Sequence, residues 1–129
     1  MIQLVYISTP RGPVDLAAIL RSSRRNNARC DVTGLLYHDG RRFLQALEGE
    51  ERAVEETFER IRDDPRHCAM VILSRRIVDV REFGPWQMAE RGPGADGEQV
   101  MRRIEPLLAA ASPNVRATFE GFMQVARAA

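Results

Sequence analysis

Cysteine is scarce in this chain: Cys30 and Cys68 are the two among 129 residues, and they fit no CxxC spacing. They read as reduced thiols, which sets aside a disulfide scaffold and a zinc site. An excess of one charge is also lacking, since nineteen basic residues face eighteen acidic ones for a net charge of +1. No global field then draws the chain to nucleic acid or to an anionic membrane, and any phosphate binding must be local. No apolar run approaches the roughly 20 residues of a membrane span. The N-terminal MIQLVYIS shows no basic region, apolar signal core or cleavage site, so a cytoplasmic protein with neither a membrane nor a nucleic-acid partner is expected. Internal repeats and low-complexity tracts are absent as well.

What is present is an ordinary globular composition, 44% hydrophobic and 29% charged, in a length that suits one compact core. Ile2 to Ser8 is apolar on both alternating sets, as a strand covered on both faces must be. After the breakers Thr9 to Pro13, residues Leu16, Ile19, Leu20 and Ser23 recur at helical spacing, Asp15 stands in the first turn, and the helix is expected to end near Asn26 and Asn27. Val32 to His38 and Arg42 to Glu48 form a strand pair around the Asp39-Gly40 turn. Val54, Phe58 and Ile61 then mark a second helix that Asp64-Pro65 stops. Met70 to Ser74 predicts a fourth strand running on toward Val80, and Phe83 to Ala89 a fifth. Arg91 to Gly97 reads as a linker to two amphipathic helices, Glu98 to Ala111 and Val115 to Ala128.

The expected class is therefore α+β, a ferredoxin-like βαββαββ sheet whose third strand lies between the first and second. Two helices share one face of such a sheet. Because the first strand is apolar on both faces, the C-terminal helices should cover the other. Residues 1–92 are expected to form the core, and residues 93–129 a helical extension packed on the sheet.

On the third strand Phe43, Gln45 and Leu47 share a face, which places an amide within an apolar surface. A buried amide needs partners, and Tyr6 on the neighbouring first strand can supply its hydroxyl. Taken alone, this pair is an ordinary core hydrogen bond. Asn26 and Asn27 can equally be helix-end residues, and Arg60 and Asp64 a surface ion pair at i, i+4. Arg21, Arg24, Arg25, Arg29, Arg41 and Arg42 make a local basic excess, mostly a solvated face, from which one or two could meet phosphate.

Together, LVYIS, RRNNARCDVTGLLYHDGRRFLQALEGE, VEETFERIRDDPRH and REFGPWQM resemble the BLUF family of blue-light sensors from its first strand to its fifth, over roughly Gln3 to Met88. NN, TGLL, FLQxLEG, DxRH and W-x-M in this order are far more specific than any one of them. The resemblance implies that FAD is the cofactor, its ring held between the two helices and its edge toward the central strands. It implies that Tyr6 is the photoactive tyrosine, that Gln45 lies between that phenol and the flavin, and that Asn27 binds the pyrimidine edge. Asn26, Arg60 and Asp64 are implied as further flavin contacts, and Trp86 and Met88 as the fifth-strand residues that propagate the signal. The loop between Tyr6 and Asn27 is a few residues shorter than in some members, which leaves the start of the first helix open. A sensor of this kind is no enzyme. Its output is expected to pass to an unidentified downstream protein or through a homo-oligomer.

Three other readings compete. An RNA-binding module of the same βαββαβ plan would need an aromatic-rich third strand, and RRFLQALEG has one aromatic. An acylphosphatase-like hydrolase would need a phosphate-cradling glycine loop, where TPRGPVD has a single glycine. A BLUF-fold protein that holds little flavin and serves as a partner-binding module stays open, and the absorbance of the purified protein separates it.

Overall fold

The structure, a computed structural model, describes residues 1–13, 15–38, 41–83, 89–91, 95–109 and 111–128, leaving aside the side chains of 89–91, 95–97 and 125–128. Five strands, β1 (Ile2–Pro10), β2 (Thr33–His38), β3 (Phe43–Gly49), β4 (His67–Ile77) and β5 (Ala89–Arg91), form one sheet in the order β4-β1-β3-β2-β5. The helices are α1 (Leu16–Cys30), α2 (Glu51–Asp63), α3 (Ala95–Ile104) and α4 (Pro113–Ala128), with a 3-10 turn over Glu105–Leu108 between the last two. β3 thus lies between β1 and β2, antiparallel to both. The split arrangement expected from the element order is what forms, with the short β5 added parallel to β2.

Alternation along the strands divides the core in two. Ile2, Leu4, Tyr6, Leu36, Phe43 and Leu47 face α1 and α2, where Ile19, Leu20, Val54 and Phe58 meet them. Val5, Ile7, Leu35, Tyr37, Leu44 and Ala46 face the other way, onto Val100, Met101, Ile104, Leu108, Phe119 and Phe122 of the C-terminal helices. β1 feeds both clusters, the physical reason for its unbroken apolar character. Among the described residues no helix is long and apolar enough to cross a membrane.

Several boundaries differ from the sequence reading. α1 runs one turn beyond Asn26 and Asn27 to Cys30, because Asp31 takes the left-handed conformation (φ 55) and closes the helix with its N–H on the Asn27 carbonyl. Asp15 stands outside the first turn as the N-cap, its carboxylate accepting from Ala18 N–H, and this settles the start of α1. The described part of β5 is Ala89–Arg91, and residues 84–88 of the expected fifth strand lie outside the described residues, while Phe83 itself packs into the core beneath α3 and α4. The expected linker is correspondingly shorter, since Arg91 belongs to β5 and Ala95 already opens α3. Gly49 lets β3 end against the C-cap of α1, where a Cβ would sit 3.1 Å from the Asp31 carbonyl oxygen.

Candidate functional site

Register brings the first pair of site residues together. Tyr6 and Gln45 are direct partners across β1 and β3, both on the α1–α2 face and both buried. The Tyr6 hydroxyl donates to Gln45 Oε1 at 2.5 Å. Phe58 of α2 meets the Tyr6 ring edge-on at 4.9 Å, holding it toward the glutamine. Burial pushes the Tyr6 phenol far above its ordinary pKa of 10.0, so it stays a protonated donor across the physiological range. Gln45 Oε1 is thereby occupied. Among the described residues Tyr6 is the one hydrogen-bond partner of the Gln45 side chain, which leaves the amide N–H groups for a molecule beside it.

Beside Gln45 a cleft opens between α1 and α2. Ile19, Ser22, Ser23, Asn26 and Asn27 line its α1 side at the three- and four-residue spacing that puts side chains on one helix face. Thr57, Arg60 and Ile61 of α2 form the opposite wall, with Asp64, Arg66 and His67 at its end. The cleft therefore gathers Asn26, Asn27, Gln45, Arg60 and Asp64. Asn27 is 1% exposed, so its side chain sits on the inner face of α1 while its carbonyl accepts the closing bonds of the helix end. Asn26 is half-buried at the rim. Trp86 and Met88 lie outside the described residues.

Asp64 does not pair with Arg60. Arg66 takes it instead, with Nε at 3.0 Å, Nη2 at 2.6 Å and its backbone N–H at 2.9 Å from the carboxylate. The Arg66 side-chain hydrogen bond holds the Asp64 carboxyl below its ordinary range. A two-residue spacing across the Pro65 turn lets the fork reach both carboxylate oxygens, a contact that the i, i+4 reading overlooked. Among the described residues Arg60 has no ion-pair partner, leaving its guanidinium to the cleft.

Sequence reasoning also left Ser22, Ser23, Arg66 and His67 out of the site. The DxRH run carried a signal for the last two. His67 is buried, its Nδ1 lies 3.2 Å from Ser8 Oγ, and its ring packs 5.3 Å from Phe43. Burial pushes its pKa below the ordinary 6.5, which keeps the imidazole neutral. Two irregularities in the β1–β4 ladder flank Tyr6 and Ile7, and Ala69 at φ 50 is placed at the second of them, after which His67 pairs with Pro10 at the end of β1. Among the described residues no cluster of His, Cys, Asp or Glu could hold a metal.

The site suits a planar heteroaromatic ligand with carbonyl acceptors and N–H donors on its edge. Gln45 presents amide N–H groups, Asn27 brings a second amide, Ile19 and Ile61 offer apolar contact, and Arg60 supplies a cation at one end beside the Asp64–Arg66 ion pair. Comparison with known proteins points the same way. Residues 1–89 match the family model described as BLUF, sensors of blue-light using FAD. The photoactivated adenylate cyclase subunit beta of Euglena gracilis is 46% identical over 83 residues, which make up 62% of this chain and 10% of the relative. This chain thus spans about a tenth of the length of that relative. Among solved structures, the dark state of BlrB, a BLUF protein, superposes with a TM-score of 0.71 at 29% identity, covering 90% of this chain and 89% of BlrB. The ground state of BlsA gives 0.70 at 30% identity, covering 79% and 71%.

Proposed function

Since the chain belongs to the BLUF family, sensors of blue light using FAD, we propose that it takes FAD into the cleft between α1 and α2 and signals through a hydrogen-bond switch of Tyr6 and Gln45. The observation that carries this reading is the 2.5 Å bond from the Tyr6 hydroxyl to Gln45 Oε1 at the wall of a cleft lined by Asn27, Arg60 and Asp64. Asn27 and the Gln45 amide would hold the flavin's polar edge, Asn26 and Arg60 would close over it, and Asp64 with Arg66 would form the charged end. Bound flavin supplies the blue absorption and, when excited, an oxidant for a nearby phenol.

The rest is the work of the chain's own residues. With its carbonyl toward Tyr6, Gln45 accepts from the phenol and directs N–H into the cleft. Turned over or tautomerised, it presents the opposite function to each neighbour, and the phenol can follow because a hydroxyl both donates and accepts. The two arrangements occupy nearly the same volume, so the switch needs no large movement in a packed core. Trp86 and Met88 would pass the change along, with Met88→Ala keeping the spectral response while weakening its transmission to the C-terminal helices. In this reading residues 1–92 are the sensing core, 93–129 the extension that receives the signal, and the output goes to a downstream protein or through a homo-oligomer.

The test is direct. The purified chain should be yellow, release FAD on denaturation at about one per chain, and show a small reversible red shift under blue light without bleaching. Tyr6→Phe should keep the flavin and lose the shift. A colourless protein that refuses added FAD overturns the reading and leaves a partner-binding module of this fold. A normal shift in Tyr6→Phe removes the phenol from the switch.

A further inference from the structure

The polar residues on the opposite face of the sheet have a different organisation. Glu48 stands three residues after Gln45 on β3 and points toward the C-terminal helices, with 0% exposure. A fully buried carboxylate is stable only when its oxygens are taken. Here Oε2 accepts from the Glu82 N–H and Oε1 from the Phe83 N–H, both at 2.8 Å, and the Gln3 amide donates to Oε2 at 2.9 Å. The Glu82 carbonyl, on the same peptide unit as the Phe83 N–H, accepts from Arg103 Nη1 of α3 at 2.9 Å. Arg81 fastens the same turn by donating to the Glu48 carbonyl and to Thr33 Oγ1, each at 2.7 Å. An unbroken line of hydrogen bonds therefore leads from the backbone of β3 to α3, using side chains and peptide groups far apart in sequence.

We propose that Glu48 is a positioning residue for output: its carboxylate ties the strand that carries Gln45 to the 82–83 backbone, and through Arg103 to α3, so that a movement of β3 is felt in the C-terminal helices. This rests on the photoreceptor reading for its trigger, although the mechanical connection exists without light. The two oxygens hold adjacent N–H groups, so a displacement of β3 cannot leave both bonds intact unless residues 82 and 83 follow. The Arg103 contact then carries the displacement into the first helix of the extension. This route requires neither Trp86 nor Met88.

Amide hydrogen exchange on the full chain, parent and variants, tests the proposal in the dark and under blue light. Glu48→Gln keeps the side chain's shape but sets an NH2 group against one of the two backbone donors. In the dark its Glu82 and Phe83 amides should exchange at least about tenfold faster, the scale of losing a hydrogen bond to a charged group, and α3 should lose protection with them. Arg103→Ala, at an exposed position that folding tolerates, should loosen α3 alone, and Arg103→Lys should recover part of the protection. Because both act on one line, the double variant should exchange in α3 no faster than Glu48→Gln by itself. In the light both single variants should retain the red shift and lose the light–dark difference in α3, while Arg103→Lys regains it. Additive effects in the dark, or a parent-like light response of α3 in both variants, overturn the proposal. A parent chain that binds flavin but shows no red shift would overturn the photoreceptor reading instead, and dark-state additivity would still decide the coupling.

Discussion

The two faces of the sheet bury their polar groups in opposite ways. Toward α1 and α2, Gln45 has one hydrogen-bond partner among the described residues and keeps spare donors beside an open cleft. Toward α3 and α4, Glu48 and Gln3 have their side-chain oxygens and amide taken by several partners, and elsewhere the same face is sealed by Phe83, Phe119 and Phe122. A group with unused hydrogen-bonding capacity can change partners at low cost, whereas a saturated one resists rearrangement and moves only with its partners. One sheet thereby combines a face suited to switching with a face suited to transmission.

The sharpest way to break this contrast is to open the sealed face. Phe122 is fully buried, meets Tyr37 edge-on at 5.5 Å and lies beneath the Arg42 guanidinium at 5.2 Å. Phe122→Ala should cost about 3–5 kcal/mol of stability, the usual range for deleting a core aromatic, as read by urea unfolding. Flavin affinity of the folded fraction should stay within a factor of about two, because sites that share no partner act nearly independently.

On the cleft face the same measurement should give less. Tyr6→Phe preserves the ring against Phe58 but leaves Gln45 Oε1 without its 2.5 Å donor, a loss of about 1–3 kcal/mol for a buried polar group. If water or ligand in the cleft reaches the carbonyl, the value should fall at the low end when flavin is bound. A cost as large as that of Phe122→Ala would mean that the cleft face is as rigidly built as the sealed one.

The smallest effect concerns pH. Burial lowers the His67 pKa in the folded chain from its ordinary 6.5. The unfolded chain therefore binds more protons than the folded one as pH drops through 6.5, and folding loses stability until the folded pKa is passed. Asp64, lowered from 3.8 by Arg66, adds a further loss only at more acidic pH, where its carboxylate takes up a proton. The melting temperature should fall between pH 7.5 and 5.5 by about 2–5 °C, and His67→Gln should flatten that window. An unchanged slope in His67→Gln would place the sensitivity on other groups.

Much of this arrangement was legible in the chain alone. Strand alternation and helical spacing are local periodicities, and they sufficed for the element order, the apolar character of β1 on both faces, and the shared face of Phe43, Gln45 and Leu47. The position of β3 between β1 and β2 followed from the order of elements. With β1 and β3 as neighbours, Tyr6 and Gln45 could be paired. What only the tertiary structure decided was which partner each polar side chain would take. Asn27 entered the cleft because α1 continued to Cys30, an outcome set by a left-handed Asp31 that no local pattern announced. Asp64 turned to Arg66 and away from Arg60 across a proline turn. Glu48 found the backbone of residues 82 and 83 from 34 and 35 positions away. Periodicity tells a residue which face it occupies, but a hydrogen bond is decided within a few tenths of an ångström, by the register and packing of segments that meet only when the chain has folded.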